Sequence, residues 1–183
     1  SSDVCSSDLS FVLLAAIPSR AKLEQTFILD ADFIWLFSTV EDIEEKYDNW
    51  LPGFAIGCNY LLTPIPYFSG GARLSFTRIT ARDKREVKLN TLAMSALLRP
   101  QYQFANSLKT TLFLEANPGV YKVIGKDVGD TGLFDNSLFG IAFGGGVALG
   151  SVEFGARYHL GMDLNYSQNM GWLSIFASLR MGV

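Results

Sequence analysis

The fold class this sequence predicts is all-β: an eight-stranded antiparallel up-and-down transmembrane β-barrel. Three observations predict it. Eight segments alternate apolar residues with polar or small ones, the period of a strand between two different media. The connections between them alternate long and short. Hydrophobic residues make up 49% of the 183 residues, yet no run approaches the roughly 20 apolar residues that a membrane helix needs. In a soluble barrel the greasy face would look inward; in a membrane barrel the assignment inverts, and the charged face lines the lumen.

The first strand sets Phe27, Leu29, Phe33, Trp35 and Phe37 against Asp30 and Asp32. It is the least regular, because Ile28 and Ile34 share the acidic face. In the second, Trp50, Phe54, Ile56, Cys58, Tyr60 and Leu62 oppose Gly53, Ala55, Gly57, Asn59 and Thr63. In the third, Phe68, Ala72, Leu74 and Phe76 oppose Ser69, Gly71, Arg73, Ser75 and Thr77. The fourth opposes Leu92, Met94, Ala96, Leu98, Tyr102 and Phe104 to Thr91, Ala93, Ser95, Arg99, Gln101 and Gln103. The fifth opposes Leu108, Thr110, Leu112, Leu114 and Ala116 to Lys109, Thr111, Phe113, Glu115 and Asn117. The sixth is rich in glycine: Phe139, Ile141, Phe143, Val147 and Leu149 alternate with Gly140, Ala142, Gly144, Gly146 and Ala148. The seventh turns Val152, Phe154, Ala156, Tyr158 and Leu160 one way and Glu153, Gly155, Arg157 and His159 the other. The eighth, Gly171 to Val183, sets Leu173, Ile175, Ala177, Leu179, Met181 and Val183 against Trp172, Ser174, Phe176, Ser178 and Arg180.

The connections orient the barrel. Ser38 to Asn49 is long and acidic, Thr63-Pro64-Ile65-Pro66 short, and Ala81 to Glu86 longer. Ala105-Asn106-Ser107 is short, Ile124 to Asn136 long, Gly150-Ser151 a tight hairpin turn, and Gly161 to Asn169 longer. Short periplasmic turns and longer external loops are the asymmetry of outer-membrane barrels, and an even strand number puts both termini on the periplasmic side. Aromatic residues near strand ends fit two interfacial girdles. Trp35, Phe37 and Trp50 belong to the outer one, and Tyr60, Tyr67, Phe68, Tyr102 and Phe104 to the inner one.

The head of the chain reads differently. Within residues 1–9, Cys5-Ser6-Ser7-Asp8-Leu9 matches the translation of a common sequencing-adapter tail, and Ser1-Ser2-Asp3 a partial second copy. Residues 10–21 read as a signal-peptide remnant: Phe11 to Ile17 is apolar, and Ser19 and Ala21 are the small residues of a cleavage site. The barrel domain is then 22–183. Without Asp3, Asp8 and Arg20 the net charge moves from −3 to −2. That balance, with no basic stripe, gives no nucleic-acid partner. Cys58 is the one cysteine left, so no internal disulfide forms, and on an apolar face it acts as a small hydrophobe.

The run from Leu114 to Leu160 carries a resemblance. A glycine-rich strand, Phe139 to Leu149, is followed by a tight turn and then by Glu153, Arg157 and Tyr158 in an E-x-x-x-R-Y strand. This resembles the outer membrane protein β-barrel domain family, the small OmpA/OmpX-type and PorT-like barrels of Gram-negative bacteria. The resemblance covers nearly the whole chain at the level of pattern. It implies a monomer in the cell outer membrane whose partners are membrane lipid, lipopolysaccharide and, through the last strand, the assembly machinery. Such families usually end in Phe or Trp, whereas this chain ends in Val183.

An eight-stranded barrel is just wide enough for side chains to fill it. The inward set contains Asp30, Asp32, Arg73, Arg99, Lys109, Glu115, Glu153, Arg157, His159 and Arg180. Unpaired charges there would be too costly to desolvate, so a paired network that plugs the lumen is expected. An enzyme is not. The single histidine, His159, has Gly161 where a lipid A deacylase would carry its serine. One histidine and one cysteine make no zinc site, and Gly144-Gly145-Gly146 lacks a phosphate-loop lysine, so no cofactor is expected. The long loops Ser38 to Asn49 and Ile124 to Asn136 are acidic but match no calcium-loop spacing. Two functions stay open: a structural or interaction barrel with a plugged lumen, or a narrow channel or small-ligand transport barrel. A soluble lipocalin-type barrel would need Asp30, Arg73, Glu115 and Arg157 in water and the aromatics inside. The loop rhythm and the signal-peptide remnant argue against it.

Overall fold

In a computed structural model the described residues are 23–38, 50–81, 88–105, 109–124, 137–162 and 169–182. The expectations for residues 1–21, the long loops and Val183 fall outside them. Eight strands follow in order: β1 (Glu24–Ser38), β2 (Trp50–Ile65), β3 (Phe68–Ala81), β4 (Lys88–Gln103), β5 (Thr110–Ile124), β6 (Ser137–Leu149), β7 (Val152–Met162) and β8 (Asn169–Gly182). Each pairs antiparallel with its sequence neighbours, and β1 pairs with β8, so the sheet closes into a barrel with no free edge. The shortest strand, β7, has 11 residues, enough to cross a bilayer when tilted.

Register fixes the shape. Register partners lead round the wall from Ile28 through Asn59, Arg73, Ser95, Gly119, Gly140, Gly161 and Met170 back to Ser38. The circuit therefore returns to β1 ten residues further on, from 28 to 38. That stagger accompanies a strand tilt of about 35–45°. It also sets residues from distant parts of the chain at one height in the lumen.

The facing is the inverted one. Ile56, Met94, Leu114 and Ile175 are more than half exposed on the outer wall. Asp30, Arg73, Arg99, Glu115, Glu153 and Arg157 are buried inside. The strands run longer than their alternating cores. β2 continues through Pro64 to Ile65, so the turn falls at Pro66-Tyr67 rather than beginning at Thr63. Its register against β3 shifts between Leu62 and Ile65 and again between Leu51 and Phe54, around Pro64 and Pro52. Proline lacks the N–H a ladder needs, and a bulge is where a strand tolerates it.

Glycine is required where walls and lumen side chains come close. A Cβ on Gly71 would collide with the Tyr60 carbonyl. One on Gly57 would lie 2.7 Å from Asp30 Oδ1, and one on Gly144 would lie 2.8 Å from Arg157 Cγ. The last two positions leave room for the charged side chains opposite. Gly150 takes the positive φ of 61° that the tight β6–β7 turn demands.

Candidate functional site

The lumen holds one continuous ion-pair network. Arg73 binds Asp30 and reaches Asp32 at 3.2 Å. Arg157 contacts both aspartates at 3.0 Å and also binds Glu115. Glu115 is 3.1 Å from Arg99, and Arg99 is 2.8 Å from Glu153. Arg180 closes the chain on Glu153 at 3.3 Å. Four carboxylates alternate with four guanidiniums, so the network is neutral as a whole. Alternation is what makes burial tolerable, since each desolvated charge touches at least one of opposite sign. Aromatic faces cover the guanidiniums as well: Arg157 lies 3.6 Å above the Phe176 ring and Arg99 4.1 Å above Phe113. Apolar side chains fill the space around it, with Ile28, Leu61 and Leu97 in one cluster and Phe113, Ala148 and Phe176 in another.

The two ends of the lumen differ. Toward the long connections, Tyr121, His159 and Trp172 each lie three residues from the end of their strand. The His159 ring stacks on Trp172 at 4.8 Å, and Tyr121 meets both rings edge-on. Ile34, Ile79 and Leu138 are buried at the same end, so that end of the described lumen carries an aromatic and aliphatic layer. Toward the termini and short turns, the lumen opens into a polar vestibule of about 490 Å³. Lys109, Arg180, Gln101, Gln103, Thr26 and Thr111 are among its lining residues.

Asp30, Asp32, Arg73, Arg99, Glu115, Glu153 and Arg157 form the buried network, and Arg180 joins it from the vestibule. His159 is buried but stands apart from the ion pairs, within 3.5 Å of Tyr121 Oη and 3.3 Å of Ser174 Oγ. Lys109 lines the vestibule at the mouth of the lumen but stays outside the ion-pair network. It precedes β5, is exposed, has a left-handed φ of 49°, and makes no ion pair among the described residues. Regular strand alternation starts only at Thr110.

The outer-wall aromatics Trp35, Tyr60, Tyr67, Tyr102 and Phe104 are exposed, and Phe68 is half-buried. Tyr102 and Phe104 pack edge to face at 5.1 Å near the turn end of β4. The side chains of Phe37 and Trp50 lie outside the described residues. Sequence reasoning passed over Tyr121, which follows Pro118 and Gly119 in the second half of β5.

His159 and Ser174 touch, but Ser174 is fully buried and no carboxylate contacts the ring among the described residues. No group of His, Cys, Asp or Glu among the described residues converges as metal ligands.

No family model and no curated protein matches the sequence. Solved structures do match the fold. Neisserial surface protein A aligns over 85% of this chain and 96% of its own, with a TM-score of 0.55 at 14% identity. The outer membrane protein OprG from Pseudomonas aeruginosa aligns over 87% of this chain and 97% of its own, with a TM-score of 0.52 at 7% identity. The fold is that of the small outer-membrane barrels. At such identity the likeness carries architecture alone, and it agrees with the resemblance drawn from the alternating strands.

Proposed function

We propose that the chain is an integral outer-membrane barrel with a structural or interaction role. It is held in lipid by its apolar wall, and its lumen is plugged by charge. The observation that carries this reading is the combination of an exposed apolar wall with eight ionisable side chains paired into one neutral network inside. A soluble protein would place these two surfaces the other way round. In this reading the vestibule, the termini and the short turns face the periplasm. The long connections, with their acidic residues, face outward at the lipopolysaccharide surface and are where a partner is met. No enzymatic step is assigned.

Planar-bilayer recording of the detergent-folded full chain tests the plug. The expected record is silent at moderate voltage, because an ion would have to displace paired guanidiniums and then cross the Tyr121–His159–Trp172 layer. Discrete, reproducible openings of the wild-type protein would replace this reading with the alternative, a narrow channel or small-ligand transport barrel. The feature that favours the alternative is the vestibule, a polar cavity with Arg180 on its lining.

A further inference from the structure

We infer that the vestibule at the terminal end is a binding site for a small soluble oxyanion, a phosphate or carboxylate group, held between Arg180 and Lys109. Arg180 approaches Glu153 through its Nε at 3.3 Å. Its two terminal nitrogens have no hydrogen-bond partner among the described residues, and its side chain remains 22% exposed on the cavity lining. A guanidinium whose Nη1–Nη2 edge is free presents two parallel donors, the geometry that grips a carboxylate or phosphate in bidentate fashion.

Lys109 supplies the second positive charge. It lines the same cavity from the turn before β5 and makes no ion pair among the described residues. Neutral donors complete the lining, with the Thr26 and Thr111 hydroxyls and the Gln103 amide.

The charge balance deeper in the barrel keeps these cations available. Glu153, the acid nearest Arg180, already takes two contacts from Arg99, at 2.8 and 3.1 Å. Glu24 is the one carboxylate among the described residues of the vestibule lining. It is exposed at the first residue of β1, the strand paired with the β8 that carries Arg180, and forms no ion pair among the described residues. The walls are closed sheet, and a charged mouth with low-dielectric walls focuses potential on a small solute. The wall also bars a membrane lipid from the interior, so the ligand is a free solute rather than a headgroup.

The test is calorimetric titration of the full chain, folded in neutral phosphate-free dodecyl maltoside, with inorganic phosphate and separately with acetate. Ionic strength is held constant with chloride. One saturable site for either anion is expected, with Kd raised at least tenfold in Lys109→Gln and in Arg180→Gln. Lys109 lies outside the strands and outside the network, so Lys109→Gln keeps the wild-type gel mobility and carries the test even if Arg180→Gln folds poorly. Absence of saturable heat for both anions overturns the inference. So does a Kd within twofold of wild type in Lys109→Gln, which would put the anion elsewhere.

Discussion

Replacing Arg157 by methionine removes the hub of the lumen network while keeping an unbranched apolar stem. The guanidinium contacts Asp30 and Asp32 at 3.0 Å, binds Glu115, and lies 3.6 Å above Phe176. Without it four carboxylates face three guanidiniums, all inside the wall. Breaking a buried ion pair in this one-sided way costs about 3–5 kcal/mol, and losing a desolvated cation–π contact adds about 2 kcal/mol. Arg157→Met should therefore destabilise the barrel by roughly 5 kcal/mol, more than about a thousandfold in the unfolding constant at 1.4 kcal/mol per factor of ten. The assay is a urea titration of detergent-folded protein, read by the fraction of fast-migrating band in unboiled gels and by the β signal in circular dichroism. A second substitution sharpens the sign. Asp32→Asn added to Arg157→Met restores equal numbers of buried acids and bases and leaves Asp30 as the only carboxylate on Arg73. The double variant should recover at least about 1 kcal/mol of the loss, within the range of coupling between residues in contact. A cost below about 1 kcal/mol for Arg157→Met, or a double variant less stable than the single one, refutes the reasoning that opposed charges hold the lumen together.

Other outcomes follow from the same structure. Ile175, 61% exposed on the outer face of β8, should tolerate arginine poorly in a bilayer, at about 2–4 kcal/mol if it lies near the midplane; refolding yields into phosphatidylcholine vesicles measure this. Gly71→Ala should destabilise by 1–3 kcal/mol or more, as overpacking does, because its Cβ meets Tyr60 and Leu61 backbone. Gly182→Ala, which meets nothing within 4 Å, should leave the urea midpoint unchanged. His159→Phe should keep the stack on Trp172 but leave the Ser174 hydroxyl without its 3.3 Å partner, at a cost of about 1–3 kcal/mol visible in the same titration.

Facing was legible in the sequence because a period of two leaves little room for error. Once the charges of β7 and β8 are placed inside, Glu153, Arg157 and Arg180 come with them. The partners of each charge were not legible. Asp32 and Arg157 are 125 residues apart, and only the ten-residue stagger of the closed sheet brings them together. Lys109 reaches only the vestibule and no ion pair among the described residues, because it stands in front of β5 with a left-handed φ, where alternation no longer sets the side chain's depth. Leu61 and Leu97 each sit beside a leucine that faces out, so composition alone could not say which of the two enters the lumen. Tyr121 follows a Pro-Gly pair that breaks the visible pattern, although β5 runs on through both residues.

The central claim is that the apolar wall faces lipid and the charges face each other. The measurement that tests it most directly is refolding of the full chain from urea with and without detergent micelles, comparing boiled and unboiled gel mobility. The account requires a β-rich, heat-modifiable band that forms only with detergent. A soluble, monomeric β protein formed without detergent would contradict it, and would return Ile56, Met94, Leu114 and Ile175 to a core.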